Sequence, residues 1–145
     1  MKHRVQPVGS TRGVSFVNDS KSTTEASTLQ ALKFCGKDII LLAGGVLKVR
    51  EFNALKKVIS GHVIKAIFFG SGKDELYSIF SGVIPSEKCD TLGTAFAQAC
   101  LSAAPGQTVL LSPMCASFDQ FKSFEERGDV FIQLALEEIK SNSPV

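Results

Sequence analysis

Five consecutive residues, Ile39-Ile40-Leu41-Leu42-Ala43, are apolar without interruption. Successive side chains of a strand point to opposite faces, so such a run is stable only where both faces are covered. Val63 to Phe69 is a second run of this kind, with Lys65 as its one charged member, and Thr108-Val109-Leu110-Leu111 is a third. Strands buried on both faces belong to parallel sheets whose faces carry helices. The intervening sequence supplies those helices. Glu25 to Phe34 carries Ala26, Leu29 and Leu32 at helical spacing. Phe52 to Ile59, Asp74 to Phe80 and Thr91 to Ala103 read as further helices, the last with Thr91 as an N-cap. Phe124 to Ile139 reads as the final helix, with an interruption expected near Gly128. Arg4 to Val8 and Val14 to Val17 read as paired strands joined by a turn near Gly9 and Gly13, and a weak strand is expected near Val83. Strands alternating with helices imply right-handed crossovers. The expected fold is therefore an open α/β domain, with a mostly parallel sheet and helices on both faces.

The chain has 145 residues, which suits one domain over residues 1–140, and the tail from Ser141 to Val145 is expected to fray. At 44% hydrophobic and 21% charged, it carries enough apolar surface to fold, which excludes wholesale disorder. A net charge of +2 argues against bulk attraction to nucleic acid or to a membrane surface, and neither is expected as a partner. No apolar run approaches the roughly 20 residues that span a bilayer. The first thirty residues lack the apolar centre of an export signal, so a cytoplasmic setting is expected. Cys35, Cys89, Cys100 and Cys115 form no C-x-x-C pair and lie far from His3 and His62, so no metal site has a signature. Reduced cysteines fit that setting, and Cys35 and Cys100 read as core fillers.

In open α/β sheets the ligand crevice lies beyond the carboxyl ends of the strands. The segments there are Asn18-Asp19-Ser20-Lys21-Ser22-Thr23, Gly44-Gly45-Val46-Leu47-Lys48, Gly70-Ser71-Gly72-Lys73 and Ser112-Pro113-Met114-Cys115-Ala116-Ser117. Three of these four loops carry a lysine, and all carry glycines or hydroxyls, as a site for a carboxylate or phosphate would need. Gly70-Ser71-Gly72-Lys73-Asp74 lacks the first glycine of a phosphate loop and has Asp where Ser or Thr would bind magnesium. It reads as a tight turn. No nucleophile elbow, H-E-x-x-H motif or Cys/His pair is present, so the chain does not read as a self-sufficient enzyme.

Two segments are more specific. The N-D-S-K-x-T stretch from Asn18 to Thr23, preceded by His3-Arg4, is one. The other is the L-S-P-x-C-A-S-x-D-x-F-K-x-F-E-x-R-G stretch from Leu111 to Gly128. With Ala43-Gly44-Gly45 and Lys48, they resemble the C-terminal domain of the Mur ligases, most closely the branch that adds D-glutamate. The resemblance runs from His3 to about Ile139. It implies a Rossmann-like fold and membership of a three-domain ligase of which the UDP-sugar-binding and central ATPase domains are absent here. It also implies chemistry in which ATP and Mg2+ activate the carboxylate of UDP-N-acetylmuramoyl-L-alanine as an acyl phosphate, which the D-glutamate amine then attacks. By this resemblance Arg4 would reach the nucleotide and Asp19 would accept from the ATP ribose. Lys21 would lie near the terminal phosphate as the catalytic lysine. Thr23, Lys48, Ser117, the Phe118 amide and Phe124 would form the D-glutamate pocket.

Each assignment has a plainer rival. Asp19 and Ser20 would close an Asx-type turn, Lys48 would be a solvated lysine, Phe124 would be core, Ser112 would only end a strand, and Cys115 would be a packed loop residue. The chain also departs from the family pattern G-G-x-D-K-G, reading Gly44-Gly45-Val46-Leu47-Lys48-Val49. Met114 stands where a small residue is common. A stand-alone Rossmann-like module for an anionic metabolite or nucleotide is the competing reading. A dinucleotide-dependent oxidoreductase is a weaker one, because the G-x-G-x-x-G fingerprint is missing.

Overall fold

The apolar runs form the centre of a six-stranded sheet. A computed structural model describes residues 1–143. The order along the chain is β1 (Gln6–Thr11), β2 (Val14–Asn18), α1 (Glu25–Cys35), β3 (Ile39–Gly44) and α2 (Asn53–Val58). Then follow β4 (Val63–Phe69), α3 (Lys73–Phe80), β5 (Ser86–Lys88), α4 (Leu92–Ser102), β6 (Thr108–Leu111) and α5 (Phe124–Ser141). In the sheet the strands lie in the order β1-β2-β6-β3-β4-β5. All neighbours are parallel except β1, which turns back antiparallel on β2.

Every residue of β3 is buried, as its uninterrupted apolar sequence requires. Its alternate side chains serve two cores. Ile39, Leu41 and Ala43 join Ala31 and Leu32 of α1, Leu55 of α2, and Leu76 and Phe80 of α3. Ile40 and Leu42 face the other way, toward Ala95, Phe96 and Ala99 of α4 and Phe131 and Ala135 of α5. Helices therefore cover both faces, and the expected α/β architecture is the one observed. Among the described residues no helix is long and apolar enough to cross a membrane.

Several local expectations need correction. In α1 the buried residues are Thr28, Ala31 and Leu32, while Ala26 is exposed. Thr24 caps this helix, its side chain accepting the amide of Ser27. The short fifth strand is Ser86–Lys88 rather than a segment at Val83. Its place is held by the backbone ladder to Ala66–Phe68 and by an ion pair between Lys65 and Glu87. Helix α5 runs without a break through Gly128 to Ser141, and the side chains of Asn142 and Ser143 bond back to Glu138 and Ile139. Gly128 is needed for packing, since a Cβ there would collide with the His3 ring. Of the tail, Pro144 and Val145 lie outside the described residues. Thr91 caps α4 as expected, accepting from the Thr94 amide.

Candidate functional site

Strand order decides where a crevice can form. Strand β6 is inserted between β2 and β3. The chain leaves β2 and β3 for helices that share one core, and leaves β6 for α5 on the other face. Loops that depart to opposite faces leave a gap between them, and this is where open α/β sheets bind ligands. The loops after β2, β3 and β6 carry Lys21, Thr23, Lys48 and Ser117.

The loop after β2 is anchored by Asp19, which is 1% exposed. Its Oδ1 accepts the Val5 amide at 3.0 Å, and its Oδ2 accepts the hydroxyls of Ser22 at 2.5 Å and Ser112 at 2.7 Å. Burial pushes this carboxyl above its ordinary pKa, against the pull of Ser22, Ser112, Val5 and Arg4. Ser112 is thus more than a strand end, because its hydroxyl joins Asp19 to Thr28 of α1, 2.9 Å away. Arg4, Val5, Asp19, Ser22, Ser27, Gln30, Lys33 and Phe34 border a cavity of about 440 Å³ beside this loop.

The residues before β1 are bent to serve the same loop. His3 and Val5 have φ of 65° and 40°, in the left-handed region that a β-branched residue such as Val5 adopts only under constraint. The constraint is visible: the Val5 amide goes to Asp19, and the His3 carbonyl accepts the Lys21 amide at 2.9 Å. The Asn18 Oδ1 accepts the Ser20 amide, which closes the Asx turn here and directs the Asn18 Nδ2 toward His3 Nδ1 at 2.9 Å. His3 Nδ1 is therefore an acceptor, and the ring carries its proton on Nε2, 3.6 Å from Asp129. Burial lowers the His3 pKa, consistent with a neutral ring.

On the other side of the crevice, glycines let three loops touch. The Gly44 amide donates to the Pro113 carbonyl at 3.1 Å, and the amides of Val46 and Ala116 exchange bonds with each other's carbonyls. A Cβ at Gly44 or Gly45 would meet the carbonyl of Phe69 or Ala116. The Ser71 amide and the Asp119 carboxylate are bonded at 2.8 Å, and the Gly72 amide donates to Gly45 at 2.9 Å. The Met114 amide donates to the Ser22 carbonyl, closing the ring back onto the loop after β2. Ser117 lies one residue beyond the Val46–Ala116 pairing and is 1% exposed, yet its hydroxyl has no hydrogen-bond partner among the described residues. Native structures seldom leave a buried hydroxyl unsatisfied, so an orphan marks a place for a ligand or water.

Arg127 on α5 is fully buried. Its Nε donates to the Ser20 hydroxyl at 3.0 Å, its Nη2 to the Ser20 carbonyl at 2.8 Å and its Nη1 to the Cys115 carbonyl at 3.0 Å. It forms no ion pair among the described residues. Burial lowers its pKa to about 10, which still leaves a cation at neutral pH beneath the crevice. Cys115 is pushed up to about 12 by burial, so it fits a packed loop residue and not a nucleophile.

The fold brings Arg4 and Asp19 to one cavity, and Thr23 and Ser117 to loops tied by the Ser22–Met114 bond. Lys48 is exposed on the loop after β3, two residues past Val46. Phe118 is 69% exposed. Phe124 is half-buried, with its ring edge-on to His3 at 6.1 Å and its carbonyl accepting the Ser20 hydroxyl at 2.7 Å. Among the described residues no group of three or more His, Cys, Asp or Glu side chains is gathered to hold a metal ion. Sequence reasoning missed Ser112, Ser22 and Arg127. Ser112 and Arg127 both stand at fixed positions of the L-S-P-x-C-A-S-x-D-x-F-K-x-F-E-x-R-G stretch, the one signal that could have found them, and Ser22 carried none.

The chain is 41% identical over 132 residues to the UDP-N-acetylmuramoylalanine–D-glutamate ligase of Chlamydia caviae, covering 91% of this chain and 32% of that relative. It is 42% identical over 131 residues to the ligase of the same name from Chlorobium limicola, covering 90% and 28%. The chain thus spans about a third of the length of these curated relatives, in their C-terminal part. Among solved structures, a murein peptide ligase from Psychrobacter arcticus matches with a TM-score of 0.64 at 8% identity, over 99% of this chain and 31% of that one. The MurF ligase of Thermotoga maritima, solved in complex with ADP, matches with a TM-score of 0.64 at 16% identity, over 99% and 32%. At such identities the likeness establishes the fold alone. No profile of a known protein family matches the chain.

Proposed function

We propose that the chain is the C-terminal part of a Mur-family D-glutamate ligase, as its 41–42% identity to two such ligases over 90–91% of its length supports, and that it binds D-glutamate and closes over ATP in the enzyme that joins D-glutamate to UDP-N-acetylmuramoyl-L-alanine. The reaction belongs to cytoplasmic peptidoglycan synthesis. ATP supplies the phosphoryl group that turns the substrate carboxylate into an acyl phosphate. The amine of D-glutamate then attacks the acyl carbon, phosphate leaves and an amide forms. The UDP-sugar site, the phosphate-loop ATPase and the magnesium ion are assigned to the preceding parts of the ligase, and this domain alone is not expected to turn over.

Within this domain the loop after β2 serves the nucleotide. Asp19 borders the 440 Å³ cavity and takes the ribose by the family pattern, which requires its buried carboxylate to give up one of the bonds it holds with Val5, Ser22 and Ser112, and Arg4 brings a cation to the same cavity. Lys21 provides positive charge for the transferring phosphoryl group, where developing charge is best stabilised by groups already in place. Thr23, Lys48, Ser117, the Phe118 amide and Phe124 hold D-glutamate. Its two carboxylates call for a cation and fixed hydroxyl and amide donors, while its amine is left free to attack.

The orphan hydroxyl of Ser117 is the observation that most supports the reading, since it is a buried donor awaiting an acceptor where the family pattern calls for one. The test uses the 145-residue chain labelled with nitrogen-15. D-Glutamate is expected to shift the Ser117 and Phe118 amides more than L-glutamate does, and Lys48→Ala should weaken that response at least fivefold without changing thermal stability. Equal responses to the two enantiomers would favour a generic anion site and sink the assignment.

A further inference from the structure

The proposed site is divided between the loop after β2, which carries Asp19, Lys21 and Thr23, and the loop after β6, which carries Ser117 and Phe118, and Arg127 contacts both loops. Its guanidinium takes the carbonyl and hydroxyl of Ser20, next to Lys21, and the carbonyl of Cys115, two residues before Ser117. The Ser20 hydroxyl that accepts from the Arg127 Nε donates in turn to the Phe124 carbonyl. One buried side chain therefore ties together the loop after β2, the loop after β6 and the first turn of α5. Each of these segments carries a residue of the proposed site: Lys21, Ser117 and Phe124.

We propose that Arg127 is a positioning residue that braces the two halves of the site as one rigid body. Three observations carry this. Arg127 is fully buried and touches no carboxylate among the described residues, so a cation is held in the interior by backbone and hydroxyl oxygens alone. A buried arginine is ordinarily paired with a carboxylate; this one is held instead by a planar fork whose three nitrogens reach two loops at once. Other links between the loops, Ser112 to Asp19 and Met114 to Ser22, are single bonds, and neither reaches α5. Lysine cannot replace the fork, because one ammonium has no fixed directions with which to span both carbonyls.

That the braced groups are substrate contacts rests on the function proposed above. The brace itself does not, so the test is made without ligand. Hydrogen exchange is followed amide by amide in the wild-type chain, in Arg127→Lys and in Ser20→Ala. In Arg127→Lys the amides of Lys21, Met114 and Ala116 should exchange at least tenfold faster, while Ala66 and Ala95, bonded to Pro85 and Thr91 elsewhere in the fold, keep their wild-type rates. Ser20→Ala carries the test even if Arg127→Lys fails to fold. It should loosen Ala116 on the opposite loop as well as Lys21 on its own. Unchanged exchange at these amides, a uniform increase across all amides, or an effect of Ser20→Ala confined to its own loop would each overturn the brace. Failure of the glutamate titration with these results intact would overturn the functional assignment alone.

Discussion

Ser112→Ala offers a quantitative test of the network beneath the candidate site. The Ser112 hydroxyl has one proton and two close oxygens, Asp19 Oδ2 at 2.7 Å and Thr28 Oγ1 at 2.9 Å. The carboxylate accepts only, so the Ser112 proton lies between Asp19 and the Thr28 oxygen, while Thr28 turns its own proton to the Ser112 carbonyl. Alanine deletes both bonds. Thr28 keeps only a 3.4 Å approach to the Ser112 carbonyl, and Oδ2 keeps only Ser22. A hydrogen bond to a buried charged group contributes about 1.5–3 kcal/mol, so a loss of about 2 kcal/mol is expected. For a chain of this size that lowers Tm by about 6–8 °C, to be read from thermal and urea unfolding. The partner is identified by repeating the substitution in an Asp19→Asn background, where the acceptor carries no charge and Ser112→Ala should cost less than about 1 kcal/mol. If the full cost survived there, the energy would lie elsewhere than in the bond to Asp19, and the reasoning would fail.

Two further outcomes follow from buried titrating groups. Burial holds the His3 pKa below 6.5, with Lys2 acting in the same direction and Asp129 and Glu125 against it. The unfolded chain therefore binds more protons than the native one as pH falls through 6.5; stability is complete above that pH and declines below it. Tm measured between pH 8 and 5 should fall more steeply for the wild type than for His3→Gln, and equal slopes would show that the ring does not enter the fold neutral. Burial raises Cys115 to about 12, so a thiol reagent at pH 8 should leave Cys115 unmodified in the native chain and label it on unfolding. Native labelling of Cys115, located by peptide mass spectrometry, would contradict its burial.

The sheet was readable in advance because burial on both faces leaves an unmistakable trace. Ile39 to Ala43 has no polar residue to hide, and its neighbours are fixed by the same arithmetic. The last helix was harder. Gly128 looked like a break because glycine weakens an isolated helix, yet here it makes room for His3, a contact across 125 positions of sequence that no local pattern carries. The α1 stripe holds at Leu29 and Leu32 and fails at Ala26 for a similar reason. Thr28 is buried because Ser112 offers it a partner, while Ala26 faces solvent. At the site, motif residues were found and the residues that hold them were missed. Ser112 and Arg127 act on loops distant in sequence, through bonds that exist only once the strands have assembled.

The place of β6 has a consequence for the order in which the molecule can be built. The hairpin β1–β2 and the trio β3–β4–β5 share no ladder; both are joined only through the four residues Thr108–Leu111, which pair with Ser15–Asn18 on one side and with Ile39–Leu42 on the other. This keystone is among the last strands to leave a ribosome. Until it arrives, β2 and β3 each present a bare apolar edge, the feature that invites wrong pairing between chains. A nascent or truncated chain that stops before Thr108 is not a smaller copy of the fold but two unfinished pieces, and closing the gap between them is the step on which the native sheet depends.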